Sequence, residues 1–134
     1  MANIFYVGLG GFIGASLRYL TGNVLSSLWG SSFPYGTATA NVLGSFCIGI
    51  IYVILGMLPS DNNWLAPLRL FLVTGILGGF TTWSSFMLDS VIMAQESNYR
   101  ALFSYLATNL CGSTILILLG FCLGKCLANR IIPS

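Results

Sequence analysis

Tyr105, Asn109 and Ser113 stand four residues apart in an otherwise apolar segment. A helix there presents three hydrogen-bonding side chains as one stripe. Bonding between helices accounts for one such group; three in register read as a polar track through an apolar surround. A second cluster, GILGGFTTWSSFMLD, runs from Gly75 to Asp89. Its paired glycines Gly78 and Gly79, followed by Phe80 and two β-branched threonines, make a poor helix interior and predict a break at Gly78–Gly79. Broken backbone frees carbonyls that can hold a cation and amides that can hold an anion. The plainer alternative is a glycine-rich packing notch whose hydroxyls bond back to the preceding turn. Trp83 and Phe86 follow, three apart and on one helical face, with Ser84 and Ser85 beside them. Aromatic rings carry positive edges, so such a pair can line an anion path without a full charge that would trap the ion. Simple packing explains two aromatics at this spacing equally well. Asn41, inside the run GTATANVLGS, can bond across helices or reach a pore.

Other chemistry is excluded by composition. The chain has no His, and so lacks the commonest general base and metal ligand. No nucleophile and base pair stands out, which argues against an enzyme. The acids Asp61, Asp89 and Glu96 fall in or near loops or at the end of a segment, and the first apolar segment has none. A proton-coupled antiporter normally needs an ionisable group deep in the membrane. Cys47, Cys111, Cys122 and Cys126 all lie in apolar stretches, where cysteine serves as a small hydrophobe. A net charge of +2, scattered along the chain, gives no footprint for nucleic acid.

The elements that must position these groups are membrane spans. Of 134 residues, 56 % are hydrophobic and 6 % charged, with a mean hydropathy of +0.88. So few charges cannot form the surface of a soluble protein, and lipid must be the outer solvent. Four stretches suit a span of about 20 residues: 4–20, with an extension beyond it, then 37–58, 67–93 and 101–127. SSLWGSSFPYG, PSDNNWLAP and QESNYR read as the loops between them. The fold expected is a single all-α unit over residues 1–134, a compact bundle of four transmembrane helices. Arg69, Lys125 and Arg130 fall on one side of the membrane, Arg100 and Arg18, near the end of the first span, on the other. So weak a bias does not fix orientation. Either the chain inserts both ways or another feature sets its orientation; insertion both ways predicts an antiparallel, dual-topology homodimer. Small residues recur every fourth position at Gly10 and Gly14, at Gly36, Ala40 and Gly44, and at Gly120 and Gly124. Such rows let helices approach closely, within the chain or at a dimer interface.

Three runs together resemble the Fluc fluoride channels, also called the CrcB family. GLGGFIGASLRY, with Arg18, is similar to that family's N-terminal signature. PYGTATANVLGSF is similar to its second-span motif, which carries the pore asparagine at Asn41, and GILGGFTTWSSF resembles its third-span motif. The resemblance covers essentially the whole chain, with the motifs in the correct order and spacing. It implies a passive fluoride-selective channel in the bacterial plasma membrane, built as an antiparallel dimer with two narrow pathways. It further implies a structural sodium ion on the backbone carbonyls of Gly78 and Thr81 from each copy. Trp83 and Phe86 would face the ions, Ser84 and Ser85 would supply hydroxyls, and Tyr105, Asn109 and Ser113 would form the fourth-span track. Arg18 and Asp89 take vestibule or structural places, Asp89 where the family usually has Glu. Two residues depart from the pattern: Trp83 replaces the usual Phe, and Asn109 replaces a smaller or different polar residue.

These departures leave a related arrangement open, in which the chain pairs with a paralogous subunit and is inactive alone. A small multidrug-type transporter shares the four-span, dual-topology plan, but the missing first-span carboxylate argues against it. A non-conducting scaffold subunit held by glycine packing is a third reading.

Overall fold

The computed structural model describes residues 2–59 and 62–131. Every regular element among them is a helix: α1 (Ala2–Trp29), α2 (Tyr35–Met57), α3 (Leu65–Arg69), α4 (Gly78–Phe80), α5 (Trp83–Gln95), α6 (Tyr99–Ala107) and α7 (Ser113–Ile131). π-Helical stretches at Leu70–Leu77 and Thr108–Gly112 join α3 to α4 and α6 to α7. The pieces make four spans, Ala2–Trp29, Tyr35–Met57, Leu65–Gln95 and Tyr99–Arg130, each long and apolar enough to cross a membrane. The four-span all-α plan is the one expected. Asp61, assigned to a loop by sequence, lies outside the described residues.

The first loop is shorter than its composition suggests. α1 continues through Ser26 and Ser27 to Trp29. The hydroxyls of Thr21, Ser26 and Ser27 bond carbonyls of the preceding turn, so serine and threonine do not interrupt this helix. The stop is Gly30, at φ +81°, whose N–H donates to Ser26 O at 2.9 Å. Arg18 consequently lies inside a 28-residue helix and not near its end. At the third loop, Asn98 N–H bonds Met93 O and Ser97 N–H bonds Ala94 O, closing a Schellman motif on α5. Ser97 holds the left-handed position at φ +56°, and the Asn98 side chain then caps α6 through Ala101 N–H.

Glycine seams hold the spans together. A Cβ added to Gly75 would lie 2.8 Å from Gly10 Cα, and one added to Gly79 would lie 2.7 Å from Gly11 O. These contacts join α1 to the first half of the third span. Gly36 meets Gly22 between α2 and α1, and Gly49 meets Ile117 O and Gly120 between α2 and α7. The small-residue rows at Gly10 and Gly14, at Gly36 and Gly44, and at Gly120 and Gly124 all close against other helices of the same chain.

This packing corrects the expected position of the break. Gly78 and Gly79 are helical, and Gly79 is the notch into which α1 fits. The chain leaves the helix only at Thr81 (φ −80°, ψ 154°) and Thr82 (φ −152°, ψ 118°), both extended, and re-enters at Trp83. Thr81 N–H and Thr81 Oγ1 both bond Leu77 O, at 3.0 Å each, as the last bonds of the outgoing helix.

Candidate functional site

Extended backbone inside an apolar bundle needs partners for its amide and carbonyl. Asn41 of α2 supplies both. Its Oδ1 accepts from Thr82 N–H at 2.7 Å, and its Nδ2 donates to Thr82 O at 3.1 Å. One side-chain amide thus replaces the pairing a neighbouring strand would give. Gly44, one turn along α2, makes room for this docking, since a Cβ there would strike Thr81 Cγ2. Thr82 then starts α5: its Oγ1 accepts from Ser85 N–H at 3.2 Å and lies 3.1 Å from Ser85 Oγ and 3.3 Å from Ser84 Oγ.

Asn41 also reaches the fourth span. Its Nδ2 donates to Asn109 Oδ1 at 2.8 Å, and Asn109 Nδ2 donates to Tyr105 O at 3.0 Å. Asn109 sits in the π-helical stretch Thr108–Gly112 and is buried. Such a bulge rotates the residues after it relative to those before. Tyr105, Asn109 and Ser113 therefore do not form one uniform stripe. Tyr105 is fully enclosed against Phe86 and Phe33, with ring centroids at 5.3 and 5.5 Å, and donates its hydroxyl to Asp89 Oδ2 at 2.8 Å. Asn109 and Ser113 line a different space.

That space is a cavity of about 450 Å³ between α2, the break and the fourth span. Asn41, Ser45, Thr81, Thr82, Asn109, Ser113 and Thr114 line it together with Trp83 and Phe86, and no charged side chain is among the lining residues. Most hydroxyls of the bundle are satisfied internally: those of Ser90, Ser104, Thr108 and Thr114 each bond the carbonyl four residues back. Among the buried hydroxyls of the described residues, that of Ser113 alone has no partner. Phe86 is closed off at 1 % exposure, while Trp83, edge-to-face with it at 5.1 Å, is 66 % exposed. A second cavity, of about 270 Å³, is lined by Ala15, Arg18, Tyr19, Gly22, Thr37 and Ser85. Ser85 and Phe86, adjacent in α5, thus face two separate cavities, one basic and one neutral.

Most of the sequence-predicted residues fall into three groups. Asn41, Trp83, Phe86, Asn109, Ser113 and Thr81 converge on the neutral cavity; Arg18 and Ser85 meet at the basic one; Tyr105 and Asp89 pair beside Phe86. Ser84 is exposed beside Thr82, and Gly78 sits one turn before the break. Sequence reasoning missed Thr82, whose backbone is the partner of Asn41. A β-branched hydroxyl residue directly before a helix start is the signal that marks it as a cap.

Comparison with known proteins bears on the same residues. The family described as CrcB-like protein, Camphor Resistance (CrcB), matches residues 5–121. A protein of Ruminiclostridium cellulolyticum named fluoride-specific ion channel FluC is 44 % identical over 131 residues, 98 % of this chain and 95 % of the relative. Proteins of the same name from Allorhizobium ampelinum and Campylobacter fetus subsp. fetus are 45 % identical over 98 residues and 39 % over 123. These matches cover 73 % and 91 % of this chain, and 76 % and 93 % of the relatives.

Proposed function

The chain belongs to the CrcB-like family, a family of multi-pass membrane proteins, and we propose that it is a fluoride-selective passive channel of the bacterial plasma membrane. The observation that carries this reading is the neutral cavity at the break, where a buried Ser113 hydroxyl has no protein partner. Fluoride is small and strongly hydrated, so a selective path must replace its water with donors or positive ring edges. Hydroxyls, amides and the edges of Trp83 and Phe86 do so without a fixed cation that would hold the ion. The thirteen-residue helix α5 begins at the same cavity and adds positive potential from its first turn. On this reading fluoride collects at the basic cavity of Arg18, Thr37 and Ser85, passes Phe86 and Trp83, and leaves along Asn41, Asn109 and Ser113. Cells are negative inside, so such a channel expels fluoride with no coupled energy source.

The exposed ring of Trp83 lies at the rim of the cavity, and the balanced Lys and Arg distribution favours an antiparallel second copy as its cover. A central sodium ion suits the backbone at the break. Thr82 N–H is drawn to Asn41, so the carbonyls of Gly78 and Thr81 meet no backbone amide among the described residues. Those two carbonyls from each copy would hold the ion, and sodium would supply positive potential at the dimer centre.

Reconstitution of the purified chain alone in liposomes, with efflux followed by a fluoride electrode, tests the reading. Efflux is expected; none from well-folded protein would refute a self-sufficient channel. Phe86→Ile is expected to cut the flux while leaving the dimer intact, and unchanged flux removes that ring from the pathway.

A further inference from the structure

The hydrogen bonds around Asn41 have a fixed polarity. Thr82 N–H can only donate, which assigns Oδ1 of Asn41 to it and leaves Nδ2 as the donating end. Tyr105 O can only accept, which assigns Nδ2 of Asn109 to it and turns Oδ1 toward Asn41. Both amide orientations therefore follow from backbone groups at the two ends of this hydrogen-bonded series. With Thr82 O at 3.1 Å and Asn109 Oδ1 at 2.8 Å, the two hydrogens of Asn41 Nδ2 are both engaged.

An anion that is to meet Asn41 must displace one of these acceptors. Thr82 is held at two points, through its N–H and its C=O, whereas Asn109 Oδ1 makes a single contact. Asn109 also lines the cavity in which the ion would arrive. We propose that Asn109 is a tethered competitor: its carboxamide oxygen occupies the position on Asn41 Nδ2 that fluoride takes, and the ion binds by pushing it aside. Asn109 is then a specificity- and affinity-setting residue, with the buried carbonyl of Tyr105 as its tether. The proposal rests on the channel reading above.

Asn109→Ser isolates this role. Serine is too short to bridge to Asn41, yet its hydroxyl can bond Tyr105 O as Thr108 and Thr114 bond the carbonyls four residues before them. One net neutral hydrogen bond changes an equilibrium by roughly three- to tenfold. Initial efflux from liposomes, measured against internal fluoride, is expected to show half-saturation falling about three- to tenfold in Asn109→Ser. A merely structural strut would lower the maximal rate and leave half-saturation in place, and that result overturns the proposal. A parent chain that conducts no fluoride overturns the channel reading itself, and this proposal with it. Should Asn109→Ser fail to fold, the parent labelled with ¹⁵N-asparagine decides the matter. Fluoride is expected to shift the side-chain amide signals of Asn41 and Asn109 together, at one concentration; signals that stay fixed while efflux saturates overturn the proposal.

Discussion

Replacing Gly79 by Ala separates two uses of glycine that the sequence alone could not tell apart. If Gly79 loosens the helix, alanine should stiffen α4 and stabilise the chain by up to about 1 kcal/mol, the difference in helix propensity. The structure predicts the opposite sign. Gly79 is helical, and its new Cβ would lie 2.7 Å from Gly11 O, 3.1 Å from Gly11 Cα and 3.2 Å from Ala15 N, all backbone atoms with no rotamer to yield. α1 must move away by roughly 0.5–1 Å, and a gap of that size forfeits a quarter to a half of each dispersion contact along the seam. The expected cost is about 1–3 kcal/mol, as for other overpacked cores. Gly56→Ala in α2 is the control, because nothing lies within 4 Å of its added Cβ; that variant should match or exceed the parent. Thermal unfolding in detergent, followed by helical circular dichroism, gives both values. A Gly79→Ala chain as stable as Gly56→Ala would refute the packing account and return Gly79 to the role of a helix breaker.

Three further outcomes follow from single contacts. Asn41→Ala leaves Thr82 N–H and C=O without their partner; it should cost about 2–5 kcal/mol by detergent unfolding and abolish fluoride efflux. Tyr105→Phe keeps the ring contacts with Phe86 and Phe33 but removes the donor to Asp89. A loss of about 1–3 kcal/mol is expected, and an unchanged midpoint would mean that water satisfies the carboxylate. Ser97→Gly relieves a left-handed serine at the end of α5 and should raise stability by about 0.5–1 kcal/mol, read from the same scans.

The spans were legible because lipid leaves little choice: a hydrocarbon core about 30 Å thick demands long apolar runs, and all four are present. Their ends were less so. Turn-like serines ahead of Gly30 read as a loop, yet in lipid a serine hydroxyl bonds its own preceding turn and the helix runs on. The break was found but displaced by about one turn of helix. Two adjacent glycines look like weak backbone, and whether they loosen a helix or admit a neighbour depends on what packs beside them. Here Gly11 and Ala15 of α1 decide it, and no local pattern in the third span carries that information.

The candidate site shows the same division. Asn41, Trp83, Phe86, Asn109 and Ser113 were legible as polar or aromatic residues out of place in an apolar sequence, and the structure brings them to one cavity. Their bonding was not legible, because it runs between segments 41 and 68 residues apart. Asn41 read as able to bond across helices or to reach a pore. In the fold it is saturated, closing the backbone at Thr82 and leaning on Asn109. Ser113, by contrast, keeps a buried hydroxyl with no partner, whereas those of Thr108 and Thr114 bond the carbonyls four residues before them. Ser113 is the first residue after the π-helical stretch. The bulge that interrupts the fourth span's regular bonding thus adjoins the one buried hydroxyl, among the described residues, that keeps no hydrogen-bond partner.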